Sequence, residues 1–198
     1  MTEKEQTIET YNNNARAMAQ DFLSIGARVA DVKKGFSLVL KENPFVVEIG
    51  CGNGREAKEI LKQTNNYLGI DISPEMIKLA QEYAPEAQFE IADLESYDFP
   101  AGTDIIFSFA SLLHSDEKNV RAVLKKAHGA LNPGGIFFIS LKSGSGKETR
   151  TDKFGTRTFY YYTPKIIRDL AGDSFRVVEE DEQTFRNRKW FTIILQKN

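Results

Sequence analysis

The chain is predicted to fold as an α/β domain in which helices cover both faces of a mostly parallel sheet, and three observations carry that expectation. Apolar runs of strand length alternate with segments of helical period, which is how strands joined by crossover helices read. The first run, FVVEI, breaks into glycines at alternate positions, Gly50, Gly52 and Gly54. Three acids, Glu48, Asp71 and Asp93, stand at the ends of successive predicted strands and hence at one edge of the sheet.

The elements follow in order. Two helices are expected first, Ile8 to Ser24 and Ala27 to Leu40, with Asn43 and Pro44 closing the second. Phe45, Val46, Val47 and Ile49 give strand one its β-branched and aromatic interior. Arg55 to Gln63 and Pro74 to Glu82 read as crossover helices, the latter capped by Ser73 with Pro74 in its first turn. Tyr67 to Asp71 is strand two, and Gln88 to Ile91 is strand three, followed by Ala92, Asp93 and Leu94. Strand four lies in TDIIFSFASLLH. The helix Lys118 to Leu131 shows an apolar stripe at Val120, Val123, Leu124, Ala127 and Leu131. Asn132 to Gly135 turns into strand five, Ile136 to Leu141. Thr163 with Pro164 opens another helix, and Phe175 to Glu180 and Trp190 to Gln196 are the last strands, joined by a short polar turn.

Composition agrees with one domain. A chain of 198 residues with 41% hydrophobic content can bury a sizeable core. The net charge of −2, from 26 basic and 28 acidic residues, offers no field for a polyanion, so nucleic acid is not an expected partner. No signal peptide, membrane-spanning run or low-complexity repeat is found, and a single cysteine excludes an internal disulfide framework. A cytoplasmic monomer or homodimer is expected.

The glycine stretch excludes two better-known loops. A dinucleotide fingerprint starting at Gly50 requires glycine where Arg55 stands. The Gly144 to Lys147 stretch resembles a phosphate loop, but Glu148 occupies the Ser/Thr position and Leu141 that of the leading glycine. An acid ending the second strand suits a ribose diol, which leaves a nucleoside ligand without a phosphate chain.

The ordered segments EIGCGNG, GIDISPEMIKLA, IADLESYDFP, TDIIFSFASLLH and LNPGGIFFISLK resemble those of the class I S-adenosylmethionine-dependent methyltransferases. The chain is most similar to the small-molecule enzymes whose amino-terminal segment carries a Tyr-Asn/Asp-x-x-Ala pattern, here Tyr11 to Ala15. That resemblance implies a Rossmann-like sheet of seven strands in the order 3-2-1-4-5-7-6 with the last strand antiparallel. It also implies one domain over residues 1–198, with helices in 1–42 as a lid over a catalytic core of 43–198. Its cofactor would be S-adenosylmethionine and its product S-adenosylhomocysteine. Glu48, Gly50, Cys51, Gly52 and Gly54 would then surround the methionine part, Asp71 the ribose, and Asp93, beside Ala92, the adenine amine. Ile72 and Leu94 would sandwich the ring, Met76 would touch the adenosine, and Phe109 and Ala110 would lie by the sulfur. Each acid taken alone could equally be a solvated loop carboxylate or a helix cap.

Substrate selection is expected from three segments over the strand ends. Tyr11 would place its ring near the sulfonium, where a cation is attracted by about 0.5 to 2 kcal/mol. His114, just past strand four, is the candidate base, since an imidazole near its ordinary pKa suits proton removal; capping or substrate positioning is the alternative. Ser143 to Tyr162 reads as a mobile loop ending in aromatics, where Arg157 could clamp an anion and Tyr160 and Tyr161 could touch substrate; a short strand with half-buried tyrosines is the alternative. Cys51, committed to the cofactor side, is not expected as a nucleophile. No metal is implied. The expected reaction is in-line transfer of a methyl group to an oxygen, nitrogen or sulfur nucleophile of a small molecule. A non-catalytic cofactor-binding module and a protein or peptide methyltransferase are the other readings.

Overall fold

The computed structural model describes residues 1–198. Three helices, α1 (Glu3–Asn13), α2 (Ala15–Ile25) and α3 (Val29–Ser37), precede the sheet. Then come β1 (Val46–Ile49), α4 (Ala57–Leu61), β2 (Tyr67–Asp71), α5 (Pro74–Tyr83), β3 (Gln88–Ile91), β4 (Thr103–Phe109), α6 (Glu117–Ala130) and β5 (Leu131–Lys142). The carboxyl-terminal part holds β6 (Lys147–Asp152), β7 (Gly155–Tyr160), α7 (Pro164–Ala171), β8 (Phe175–Phe185) and β9 (Arg188–Lys197).

Seven strands form one sheet in the order β3-β2-β1-β4-β5-β9-β8, and β6 and β7 form a separate hairpin. The first five strands run parallel, while β9 is antiparallel to both of its neighbours. Counted within this sheet alone, the order is the expected 3-2-1-4-5-7-6.

Strand periodicity explains the layering. On one face Val47 and Ile49 of β1, Ile106 of β4, and Phe137, Ile139 and Leu141 of β5 join Phe191, Ile193 and Leu195 of β9 in a core roofed by α6 and α7. On the other face Val46, Ile105, Phe107, Phe109, Ile136, Phe138 and Ile194 pack beneath Val32 of α3 and Ala57 and Ile60 of α4. Successive residues of a strand thus feed opposite cores, so the central strands read as continuous apolar runs.

Several expected boundaries shift for local reasons. A capping box between Thr2 and Glu5 starts the first helix at Glu3 instead of Ile8, and a break at Asn14 (φ −120°, ψ 16°) divides it into α1 and α2. Helix α3 ends at Ser37, and Asn43 does not terminate it. Asn43 instead adopts φ 49° and accepts hydrogen bonds from the Thr64 hydroxyl (2.9 Å) and the Asn65 N–H (2.8 Å), tying this turn to the entry of β2. The segment read as a loop from Ser143 is the β6–β7 hairpin. Strands β8 and β9 run longer than expected and are joined by Arg186 and Asn187, both at positive φ (49° and 57°), the backbone of a tight two-residue hairpin turn.

Phe107 lies at the centre of the second core, stacked on Phe109 (5.0 Å between ring centres) and tilted against Phe138 (5.7 Å). Phe107→Ala is expected to lower unfolding free energy by about 3–5 kcal/mol, measured as a shifted urea midpoint at unchanged slope.

Candidate active site

The carboxyl ends of β1, β2, β4 and β5 open into one cavity of about 700 Å³, covered by α1, the end of α2 and the β6–β7 hairpin. The loop leaving β1 forms its floor, with backbone conformations that need glycine. Gly50 has φ 65°, and a Cβ there would lie 2.1 Å from the Ser111 Oγ. Gly52 has φ 54° with nothing within 4 Å of an added Cβ, so its main chain faces open space. Cys51 is buried between them, and burial pushes its thiol well above the usual range, which keeps it an inert thiol.

Acids surround this floor. Glu48 is 1% exposed and accepts a hydrogen bond from the Tyr67 hydroxyl at 2.6 Å. Burial, with Glu56 beside it, pushes the Glu48 carboxyl up to about 8. Asp71 accepts from the N–H groups of Gly52 and Ser73, each at 2.9 Å; burial raises its pKa and these donors offset part of the rise. Neither carboxylate forms an ion pair. Arg55, just ahead of α4, is taken by Glu56 at 2.6 Å. At the rim Asp93 accepts from the Lys4 ammonium at 2.7 Å and from the Glu95 N–H at 3.0 Å. Ile72, Leu94 and Phe109 supply apolar wall, and Ala110 carries φ 61° at the end of β4, a left-handed conformation concentrated at functional sites.

Across the cavity, His114 is fixed at both ring nitrogens. Its Nδ1–H donates to the Thr158 carbonyl at 2.7 Å, because a carbonyl can only accept. Nε2 therefore accepts from the Tyr11 hydroxyl at 2.9 Å, which sets the neutral tautomer. Burial, aided by the positive charges of Arg157 and Lys142, pushes His114 down to about 4, against the Thr158 bond that favours the cation. This corrects the expectation of an imidazole titrating near its ordinary value. Burial also raises the Tyr11 pKa, so its hydroxyl keeps its proton at neutral pH.

The cavity thus gathers Tyr11, Glu48, Gly50, Cys51, Gly52, Asp71, Ile72, Asp93, Leu94, Phe109, Ala110, His114 and Arg157. The remaining expected site residues are off its wall. Gly54 lets α5 approach, since an added Cβ would meet the Ala80 Cβ at 3.1 Å. Met76 packs with Met18 and Ala15, and Ala92 is part of the first core. The Tyr161 hydroxyl is bonded to Glu148, and Tyr160 faces Glu3 on the far side of the hairpin. Arg157 lines the cavity, but its guanidinium is met by Asp152 at 2.5 Å, so it is not a free anion clamp. Phe159 lines the cavity as the aromatic end of the Ser143 to Tyr162 segment was expected to, and Lys142, Arg150, Arg188 and Trp190 line it without having been foreseen. No single motif marks them; the β6–β7 and β8–β9 hairpins bring them together.

The sheet order, the glycine floor and the acids at three strand tips are those that the resemblance to class I methyltransferases implies. Residues 46–135 match the family model described as a methyltransferase domain. The chain is 24% identical over 194 residues to malonyl-[acyl-carrier protein] O-methyltransferase 1 of Ilyobacter polytropus, covering 92% of this chain and 71% of that protein. It is 30% identical over 98 residues to trans-aconitate 2-methyltransferase of Rhodopseudomonas palustris, covering 48% of this chain and only 38% of that one. A solved structure of 1,6-didemethyltoxoflavin-N1-methyltransferase from Burkholderia thailandensis, with S-adenosylhomocysteine bound, superposes with a TM-score of 0.71 at 18% identity, over 96% of this chain and 87% of that one. The match to a methyltransferase domain thus lies within residues 46–135, and these similar proteins are methyltransferases.

The crowding at Gly50 gives a direct check on the floor. Gly50→Ala is expected to lose about 1–3 kcal/mol of stability, and adding Ser111→Gly should restore part of it, as measured by chemical denaturation.

Proposed function

We propose that this enzyme transfers a methyl group to an oxygen, nitrogen or sulfur nucleophile of a small-molecule acceptor. The observation that carries the reading is a single cavity with unpaired acids and an open main-chain floor on one side and the Tyr11–His114 pair on the other. The residues present fit the cofactor: Glu48 is a buried and Asp71 a half-buried carboxyl group without a cationic partner, and the open space at Gly52 lets a ligand reach the backbone. Glu48, Gly50, Cys51 and Gly52 would hold the methionine part, Asp71 the ribose, and Asp93 the adenine between Ile72 and Leu94. When bound, S-adenosylmethionine supplies an electrophilic methyl group, so that the acceptor's lone pair forms the new bond as the carbon–sulfur bond breaks and its electrons return to sulfur.

The protein's own work is then positioning and exclusion of water, which can supply on the order of 7–11 kcal/mol. Within the expected lid of residues 1–42, α1 and the end of α2 cover the cavity, while α3 packs on the second core. Helix α1 is strapped over the cavity by Lys4 to Asp93 (2.7 Å) and Glu95 (2.8 Å), by Lys147 to Glu3 (2.8 Å) and by the Thr10 hydroxyl to the Thr156 carbonyl (2.7 Å). Tyr11 gives its proton to the Nε2 bond of His114, which leaves the phenol oxygen's lone pairs for an acceptor's O–H or N–H. A proton released from such a group passes to the Tyr11 oxygen while the Tyr11 proton moves to Nε2; an acceptor that arrives as an anion needs no relay. The closed roof supports a small acceptor over a peptide.

Two measurements test this reading. Glu48 is protonated below about 8 in the free protein. A cationic ligand beside it favours the carboxylate, so S-adenosylmethionine binding at pH 7 is expected to release protons, seen as calorimetric enthalpies that vary with buffer ionisation heat. Buffer-independent enthalpies would remove Glu48 from the cofactor contacts. For the acceptor side, Tyr11→Phe and His114→Ala should spare S-adenosylhomocysteine binding and lower turnover of a proton-bearing acceptor by about a hundredfold. Because His114 is neutral above about 4, the rate should show no histidine step between pH 6 and 7 and should fall only on acidification towards that value.

A further inference from the structure

One end of the cavity is left unused by the cofactor. Lys142 closes β5 two residues beyond Ser140, which pairs with Phe109 at the tip of β4. It therefore stands over the sheet edge beside Phe109 and Ala110. Its Nζ lies 4.3 Å from the Phe159 ring centre and 5.7 Å from that of Trp190, and it makes neither an ion pair nor a hydrogen bond. Arg150 of β6, Arg157 of β7 and Arg188 of β9 line the same end. The acids here are Asp152, shared by Arg157 at 2.5 Å and Arg150 at 3.3 Å, and Glu148, which takes the Tyr161 hydroxyl. Four cations thus face two acids, and neither Lys142 nor Arg188 forms an ion pair. The Nε atoms of Arg150 and Arg157 are also buried without a partner. Gathering like charges in a half-buried site is unfavourable unless an anion joins them.

We propose that this end binds the acceptor by an oxyanion, a carboxylate or phosphate, with Lys142 and Arg188 as its direct cationic partners and Phe159 and Trp190 flanking the attached skeleton. Asp152 holds Arg150 and Arg157 behind them. The inference rests on the acceptor side of the proposed function and places the anion opposite the acidic cofactor floor, so the two ligands sort themselves by charge. Burial and the neighbouring Arg150, Arg157 and Arg188 push Lys142 down to about 8, with Glu148 opposing them. Lys142 is charged below that pH and neutral above it, so anion affinity falls as pH rises through about 8.

The chain has one tryptophan, so the emission of Trp190 reports on this end directly. Protein loaded with S-adenosylhomocysteine is titrated with malonate, with methyl phosphate and with uncharged malonamide. Malonate or methyl phosphate is expected to shift the emission saturably, less so at high salt, whereas malonamide does not; the preferred anion identifies the oxyanion. Lys142→Met and Arg188→Met should each weaken anion binding by about tenfold or more while calorimetric affinity for S-adenosylhomocysteine stays within about twofold. The loss of anion affinity above pH 8 should disappear in Lys142→Met. Malonamide binding as well as malonate, no response to either anion, or unchanged affinity in Lys142→Met overturns the proposal. Failure of the native protein to bind S-adenosylhomocysteine in the calorimetric arm overturns the cofactor placement instead.

Discussion

The carboxylate of Asp71 is the constraint on which the cavity depends. One oxygen receives the N–H of Gly52 and the other that of Ser73, so a single side chain joins the loop after β1 to the tip of β2 and the start of α5. Ser73 extends the connection: its hydroxyl accepts from the Met76 N–H at the helix start and donates to Asn12 of α1 at 2.6 Å. Floor, helix and roof are therefore registered to one another through two polar residues, Asp71 and Ser73. A half-buried carboxylate held by two backbone donors is more rigid than an exposed one, because losing either bond leaves a group with little access to water unmatched.

Charge organises the same cavity along its length. Acids without cationic partners, Glu48 and Asp71, lie under the floor, while Lys142 and Arg188 lie at the opposite end without an ion pair. Between them the neutral Tyr11–His114 pair is fixed by the Thr158 carbonyl. Low-dielectric surroundings strengthen each pole's preference for a ligand of opposite sign.

The parallel half of the fold was legible because its inner strands are buried on both faces and flanked by turn residues, while β3 at the edge is largely exposed. Tyr67–Asp71 and Gln88–Ile91 have the expected bounds, and Ser73 and Thr163 cap the helices they were expected to cap. The antiparallel half was less so. Strand β8, with RVVEEDEQTF, is largely exposed and has no alternating pattern beyond Val178, so only its pairing with β9 extends it to Phe185. The β6–β7 hairpin carries Thr, Arg, Asp and Lys on a half-covered surface and reads as loop for the same reason. Cavity residues on the strand tips β1, β2 and β4 could be named from motifs, whereas Lys142, Arg150 and Arg188 depend on pairings between distant segments. The basicity expected of His114 was misjudged because its partners, Tyr11 and Thr158, come from segments 103 and 44 residues away.

The β6–β7 hairpin forms a sheet of its own and shares no ladder with the seven strands. It is held to the remainder by Thr158 to Thr7, Thr156 to Thr10 and Lys147 to Glu3, and by Phe159, which is buried in the first core. The hairpin's share of the wall proposed to meet the acceptor is therefore built outside the seven-stranded sheet that carries the glycine floor.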